Sequence, residues 1–350
     1  MKTLFVGLKY EYGNLKAGHS FEYQNFFQVL KNMEGVECEL FAIDEVMQKV
    51  GRDEMNNLLI KQVQENKYDL LFCFLFTEEI KKETISYITK KTKTKTFNWF
   101  ADDHWRFPIF SKYWAPLFTK VSTTDSLAVM KYQKIGVDVI KTQWGANTKL
   151  YKPLLNQEVG IKNQEICFVG KNYGNRMGYI KALTDAGLPA VGFGSGWSVG
   201  RVSHEQMLSM FSNSKINLNF TESYFEWKKE LVKLFVKKEL GKYSFNGYHL
   251  VQNIQALAGK FRRQIKGRTF EVPACGGFLL TGQADNLTEY YEENKEIVIF
   301  KDKNDMIEKC KYYLENESQR EKIAQAGYKR TILEHTYEQR FKQIFERIDL

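Results

Sequence analysis

The chain has 350 residues, 43% of them apolar and 15% aromatic, with only five prolines. This excludes a disordered or collagen-like chain, and the length calls for two domains of roughly 150 to 180 residues each. The formal charge of +9 is unevenly placed: between positions 222 and 268 eleven Lys or Arg stand against four Glu, a local excess of +7, which suits a polyanionic or anionic-surface partner.

The opening residues, MKTLFVGLKY, reach Lys9 and Glu11 too soon for a signal peptide and read as a first buried strand. Short apolar runs at 3–8, 36–43, 68–76, 96–100, 118–122 and 137–143 then alternate with helical patterns at 21–33, 52–66, 78–90 and 125–135. That alternation predicts a parallel sheet covered by helices. The tract KKTKTKT at 90–96 reads as a solvated strand entry. A polar stretch after Tyr151, Lys152 and Pro153 marks a linker at about 152–164.

A second cycle follows, with strands at 166–169, 189–193, 215–220, 278–281 and 296–300. Helices are expected at 176–186, 203–211, around Glu271, and at 303–315 and 317–332, with a last one at 336–348. The fold class is therefore α/β, with two Rossmann-like, doubly wound domains facing across a cleft. The boundaries read as 1–155, 156–335 with a basic helical insertion at 222–262, and 336–350 as a helix crossing back to the N-terminal domain. No run of about 18 apolar residues occurs, so the expectation is a cytoplasmic protein, peripheral at a membrane at most. Cys38, Cys73, Cys167, Cys275 and Cys310 are scattered, odd in number and never spaced CxxC, which argues for buried thiols.

In such sheets ligands sit beyond the C-terminal ends of the strands, so the loops there carry the candidates. CFVGKNYGNRMGYI puts Gly170, Lys171 and Arg176 just before a helix, where backbone N–H groups and cations suit a pyrophosphate; an ordinary turn with surface cations is the other reading. The GFGSGW cluster at 192–197 matches no phosphate-loop spacing and reads as a turn. In GRTFEVPACGGFLLTG, Arg268 and Glu271 lie one helical turn apart, placed either to hold a phosphate and a ribose or to form an ion pair. Gly276 and Gly277 follow as a tight turn into the next strand.

In FNWFADDHWRFP, Asp102, Asp103 and His104 cluster at a strand end, where one carboxylate can serve as general base and its neighbour cap a helix. Arg106 and the loop residue His19 are candidate acceptor contacts, with Ser20 as a helix cap. FEWKKELVKLFVKKEL at 225–240 reads as a basic amphipathic helix with Lys228, Lys229, Lys233, Lys237 and Lys238 opposite an apolar stripe. It suits an anionic membrane or nucleic acid, or packs on its own domain.

The run from RTFEVPACGGFLLTG through EYYEENKEIVIF to YYLENESQREKIAQAGYKRTILEHTYEQR resembles the C-terminal half of CgeB/YkvP-like glycosyltransferases, which have the GT-B fold. The resemblance continues loosely through CFVGKNYGNR, SKINLNF and TQWGANTKLYKP. FADDHWRFP and RTFE are more distantly similar to the base loop and donor motif of phage DNA β-glucosyltransferases. The resemblance implies a nucleoside-diphosphate-sugar donor, UDP-linked first of all, held by the C-terminal domain, with no tightly bound cofactor. It also implies Asp102 as base, Glu271 on the ribose, and Arg176 and Arg268 on the diphosphate. Where many retaining GT-B enzymes carry a Glu, eight residues before the ribose-binding Glu, this chain has Arg263. The expected reaction is metal-independent, inverting transfer to a hydroxyl of a glycan, glycolipid, protein or hydroxymethylated DNA; a non-catalytic nucleotide-sugar or nucleic-acid binding protein is the other class.

Overall fold

The structure is a computed structural model that describes residues 1–154, 164–239 and 242–350. Its strands, in chain order, are β1 Lys2–Gly7, β2 Glu37–Ala42, β3 Leu70–Cys73, β4 Lys95–Phe100, β5 Lys120–Thr123, β6 Val139–Lys141 and β7 Ile166–Val169. They continue with β8 Ala190–Phe193, β9 Ile216–Asn219, β10 Val236–Glu239, β11 Lys242–Phe245, β12 Leu279–Gly282 and β13 Val298–Phe300. Two compact units emerge: Met1–Gln143 with Trp227–Gly259 and Tyr337–Leu350, and Trp144–Glu226 with Lys260–Thr336. The expected linker at 152–164, with the boundary at 155/156, lies largely outside the described residues.

The first unit is built on a six-stranded sheet of order β2-β1-β3-β4-β5-β6, parallel throughout. Helices on both faces bury β1, β3 and β4 almost completely, which is why these strands are nearly continuous apolar runs. One face carries an aromatic layer of Phe5, Phe26, Phe72, Phe97 and Trp99. The helix Tyr337–Ile348 seals it, because Tyr337, Phe341, Ile344, Phe345 and Ile348 recur on one helical face. Phe341 lies 5.4 Å, centroid to centroid, from both Phe26 and Phe72.

The insertion differs from its sequence reading in two ways. A helix over 225–240 is expected, but a helix of only seven residues forms, Trp227–Lys233, followed by the antiparallel pair β10 and β11. The β-branched and aromatic side chains of Val236, Tyr243 and Phe245 favour the extended pairing over continued helix. The second difference is the unit it joins: Trp227–Gly259 belongs to the first unit although the surrounding chain belongs to the second. Its closing helix Leu250–Gly259 packs on residues 103–111. A Cβ on Gly259 would sit 1.9 Å from the His104 carbonyl oxygen, so only glycine permits this approach.

The second unit has a five-stranded parallel sheet of order β13-β12-β9-β7-β8. Its first strand, β7, is flanked by later strands on both sides, so connections leave β7 and β9 in opposite directions. The gap opened there is the position where doubly wound sheets accept ligands. Among the described residues no helix is long and apolar enough to cross a membrane.

Candidate active site

In the second unit the helix Arg268–Ala274 carries Arg268 and Glu271 on one face. They form an ion pair, and Glu271 is only 2% exposed. Arg268 also donates through Nε to the carbonyl of Val169, 3.2 Å away, at the last residue of β7. The guanidinium thus joins two segments 99 residues apart and brings the pair to the end of β7. Tyr151, which nothing in the sequence marked, completes the cluster. Its phenol is pushed up first by burial and then by the Glu271 carboxylate. Gly276, at φ +74°, turns the chain from this helix toward β12, and Gly277 lies against the Phe211 carbonyl, where a Cβ would come within 2.1 Å. These glycines form a turn and a packing contact.

The loops after β7 and β8 are tied together. Asn172 N–H donates to the Ser195 carbonyl at 2.8 Å, its side chain donates to the Gly196 carbonyl at 2.9 Å, and the Trp197 indole donates to the Gly170 carbonyl at 2.8 Å. GFGSGW, read in the sequence as a turn, is therefore the partner of the Gly170 loop. Lys171 is exposed, its ammonium 5.6 Å from the Tyr224 ring centre. Arg176 is buried instead and donates to the Lys171 carbonyl and the Tyr173 hydroxyl, both at 2.7 Å. It stacks 3.7 Å from the Tyr173 ring centre, and burial lowers its pKa. It braces the loop from within. Arg263 lies 3.8 Å from Glu222 and lines a cavity of about 450 Å³ with Arg262, Asp285 and Glu293, in which Arg262 and Asp285 also pair.

In the first unit β4 ends at Phe100, and Asp102 follows with φ 59°, the left-handed region that Asp tolerates better than most residues. Its carbonyl accepts from Trp105 and Arg106, starting the short helix Asp103–Arg106, while its carboxylate is 37% exposed and 4.0 Å from His104 Nδ1. Asp103 has the opposite surroundings. It is fully buried and accepts from Ser111 at 2.5 Å, Thr123 at 2.6 Å and Tyr132 at 2.8 Å. Burial lifts its carboxyl to about 6. His104 and Arg106 are also buried. Arg106 stacks 3.8 Å from the Phe76 ring centre and 4.3 Å from that of Phe110, and burial lowers it to about 10. Of this acidic loop, Asp102 faces the surface and Asp103 holds the loop in place.

The loop after β1 is pinned by Asp44, whose carboxylate accepts from the Lys9 and Tyr10 amides at 3.0 and 2.9 Å. His19 is exposed between Tyr10 and Tyr23, with ring centres 5.6 and 4.5 Å away. The Ser20 hydroxyl accepts from the Tyr23 amide at 3.0 Å, the cap expected there. Glu22, beside it, went unmarked in the sequence. Burial, aided by Glu11 and Asp44, raises its carboxyl to about 7, within the range useful for proton transfer near neutrality. Only tertiary burial distinguishes it from other helix-start glutamates.

The basic candidates lie apart from these loops in sequence. Lys228 and Lys229 are exposed, Lys233 pairs with Glu230 at 2.7 Å, and Lys237 lies 3.6 Å from Glu78. For Lys238 the structure describes only the backbone, paired with Tyr243. Among the described residues no group of three or more His, Cys, Asp or Glu is placed to hold a metal ion.

Two Rossmann-like units with parallel sheets give the chain the fold seen in solved GT-B glycosyltransferase structures, and the second unit carries an Arg-x-x-Glu pair at the end of β7. Residues 176–346, just under half of the chain, match the family described as glycosyl transferase-like. Solved structures of the same fold include HepE from Anabaena in complex with UDP, with TM-score 0.64, 11% identity and all of both chains covered. Sucrose-phosphate synthase from Thermosynechococcus elongatus gives TM-score 0.63 at 9% identity, covering 99% of this chain and 98% of that one. The lipopolysaccharide outer core galactosyltransferase WaaB gives TM-score 0.56 at 13% identity, covering 99% and 100%. No curated protein matches the chain by sequence.

Proposed function

We propose that the protein transfers a hexose-like sugar from a UDP-sugar to a hydroxyl of a glycan or glycolipid, by a metal-independent, inverting displacement. The observation that carries this reading is the Arg268–Glu271 pair fixed to the last carbonyl of β7, which brings a cation and a carboxylate to the ligand end of the second sheet. Glu271 accepts the ribose hydroxyls, while Arg268 and exposed Lys171 neutralise the diphosphate. Arg176 acts as a positioning residue, since its donors are directed at the loop's own carbonyl and tyrosine. Asp102 takes the proton as the acceptor oxygen bonds to the anomeric carbon. The bond from that carbon to the diphosphate oxygen breaks, and the nucleoside diphosphate leaves with the electron pair.

HepE has been solved with UDP-glucose, and WaaB is named as a galactosyltransferase acting on lipopolysaccharide, which supports the donor and acceptor classes. In a calorimetric titration with UDP-sugars, Glu271→Ala is expected to weaken binding at least about tenfold, the loss of a charge-assisted contact. Unchanged affinity would refute the donor assignment.

A further inference from the structure

The segment Trp227–Gly259 carries a surface that holds none of the residues assigned to the transfer step. Of the 24 large apolar side chains exposed among the described residues, nine lie within positions 227–254, a stretch of only 28 residues in 350. Leu231, Val232, Phe235, Phe245, Val251 and Ile254 are each about half exposed or more, and Tyr248 is 88% exposed. An accumulation of this kind marks an interaction surface, whereas single exposed apolar residues need no explanation. The hairpin β10–β11 adds to it, since every residue of β11 faces solvent and an isolated two-stranded ribbon is marginal in water.

The segment is nonetheless held in a defined shape. Buried Asn253 donates to the carbonyls of Leu234 at 2.8 Å and Asn246 at 3.2 Å, closing the short helix and hairpin onto the helix Leu250–Gly259. Gly259 seats that helix on the backbone of His104 and Trp105. The apolar groups are therefore presented on a built platform.

Charge identifies the occupant. Positions 227–254 hold six lysines against two glutamates; Lys233 pairs with Glu230 and Lys237 lies beside Glu78, while Lys228, Lys229 and Lys242 are exposed. We propose that this platform docks on an anionic lipid bilayer, with its lysines at the headgroups and its aromatic and aliphatic side chains entering the interface. Tyr and Trp suit that depth, and lysine stems reach upward from it. Nucleic acid fits less well, because Leu231, Val232, Val251 and Ile254 have no π-face on which a base can stack. A second copy of the same face would set lysines against lysines. The proposal is independent of the transfer reaction, because docking is read without any donor.

The full chain is sedimented with vesicles of phosphatidylcholine containing phosphatidylglycerol, and with pure phosphatidylcholine vesicles. Binding is expected to the anionic vesicles, falling as salt is raised. Lys228→Gln with Lys242→Gln should lower the partition about fivefold per lysine. Phe245→Ser with Ile254→Ser should lower it at least about tenfold, with an unchanged melting temperature because both side chains are exposed. Failure of the unmodified protein to bind, equal binding to both vesicle types, or full binding by the Phe245/Ile254 variant would each overturn the proposal. So would equilibrium sedimentation showing that these substitutions dissolve a dimer, or loss of duplex DNA binding in their place.

Discussion

Asp103 offers the sharpest test of how the acidic loop is built. Its carboxyl rises from 3.8 to about 6 because burial disfavours the charge more than three hydroxyl donors favour it. Well below pH 3.8 the group is protonated in both the folded and the unfolded chain. As pH rises toward about 6, the unfolded chain releases the proton first, so the folded state loses stability. The rise from 3.8 to about 6 corresponds to about 3 kcal/mol, present in full well below pH 3.8 and lost by neutral pH. Asp103→Asn removes the titration while keeping the shape. The absolute stability of that variant also changes, since an amide cannot accept from Ser111, Thr123 and Tyr132 together. The informative quantity is therefore the difference in pH dependence. Urea unfolding followed by tryptophan fluorescence, with Trp99 and Trp114 buried in the same unit, should show the wild type losing about 2 kcal/mol relative to the variant between about pH 4 and pH 7. Parallel curves for the two proteins would refute the account of Asp103 as a desolvated carboxylate.

Asp102→Asn is expected to keep its fold, because Asn tolerates the left-handed backbone, and to lose turnover at least about a hundredfold with donor affinity intact, measured by product formation beside calorimetry. Gly259→Ala should destabilise the first unit by about 1–3 kcal/mol, since backbone lies on both sides of the clash, and limited proteolysis should then cut earlier within 227–259. Burial raises the thiols of Cys73, Cys167, Cys275 and Cys310, and that of Cys38 to about 12, so an aromatic disulfide reagent at neutral pH should label none of the five rapidly until denaturant is added.

Strand and helix positions were largely legible in the chain because their signal is local. The apolar runs that became β1, β4 and β7 needed no knowledge of their neighbours, and neither did the Tyr337–Ile348 face that became a lid on the aromatic layer. The pairing of Arg268 with Glu271 was likewise visible in helical spacing, although spacing left open whether it served a ligand or only the helix.

Contacts between distant segments were not legible, because nothing in a local pattern records them. Arg176 and Asp103 look in sequence like available charges, but each is enclosed once Tyr173, or Ser111 with Thr123 and Tyr132, folds over it. Tyr151 and Glu22 look ordinary and gain their character from burial. The insertion shows the same division most clearly. Its excess of lysines and apolar residues was present in the composition, whereas its hairpin, its attachment to the first unit through Gly259, and the exposure of its apolar side chains came only from tertiary packing. Composition could establish that this segment is charged and apolar, but only the fold decided that both properties remain at the surface.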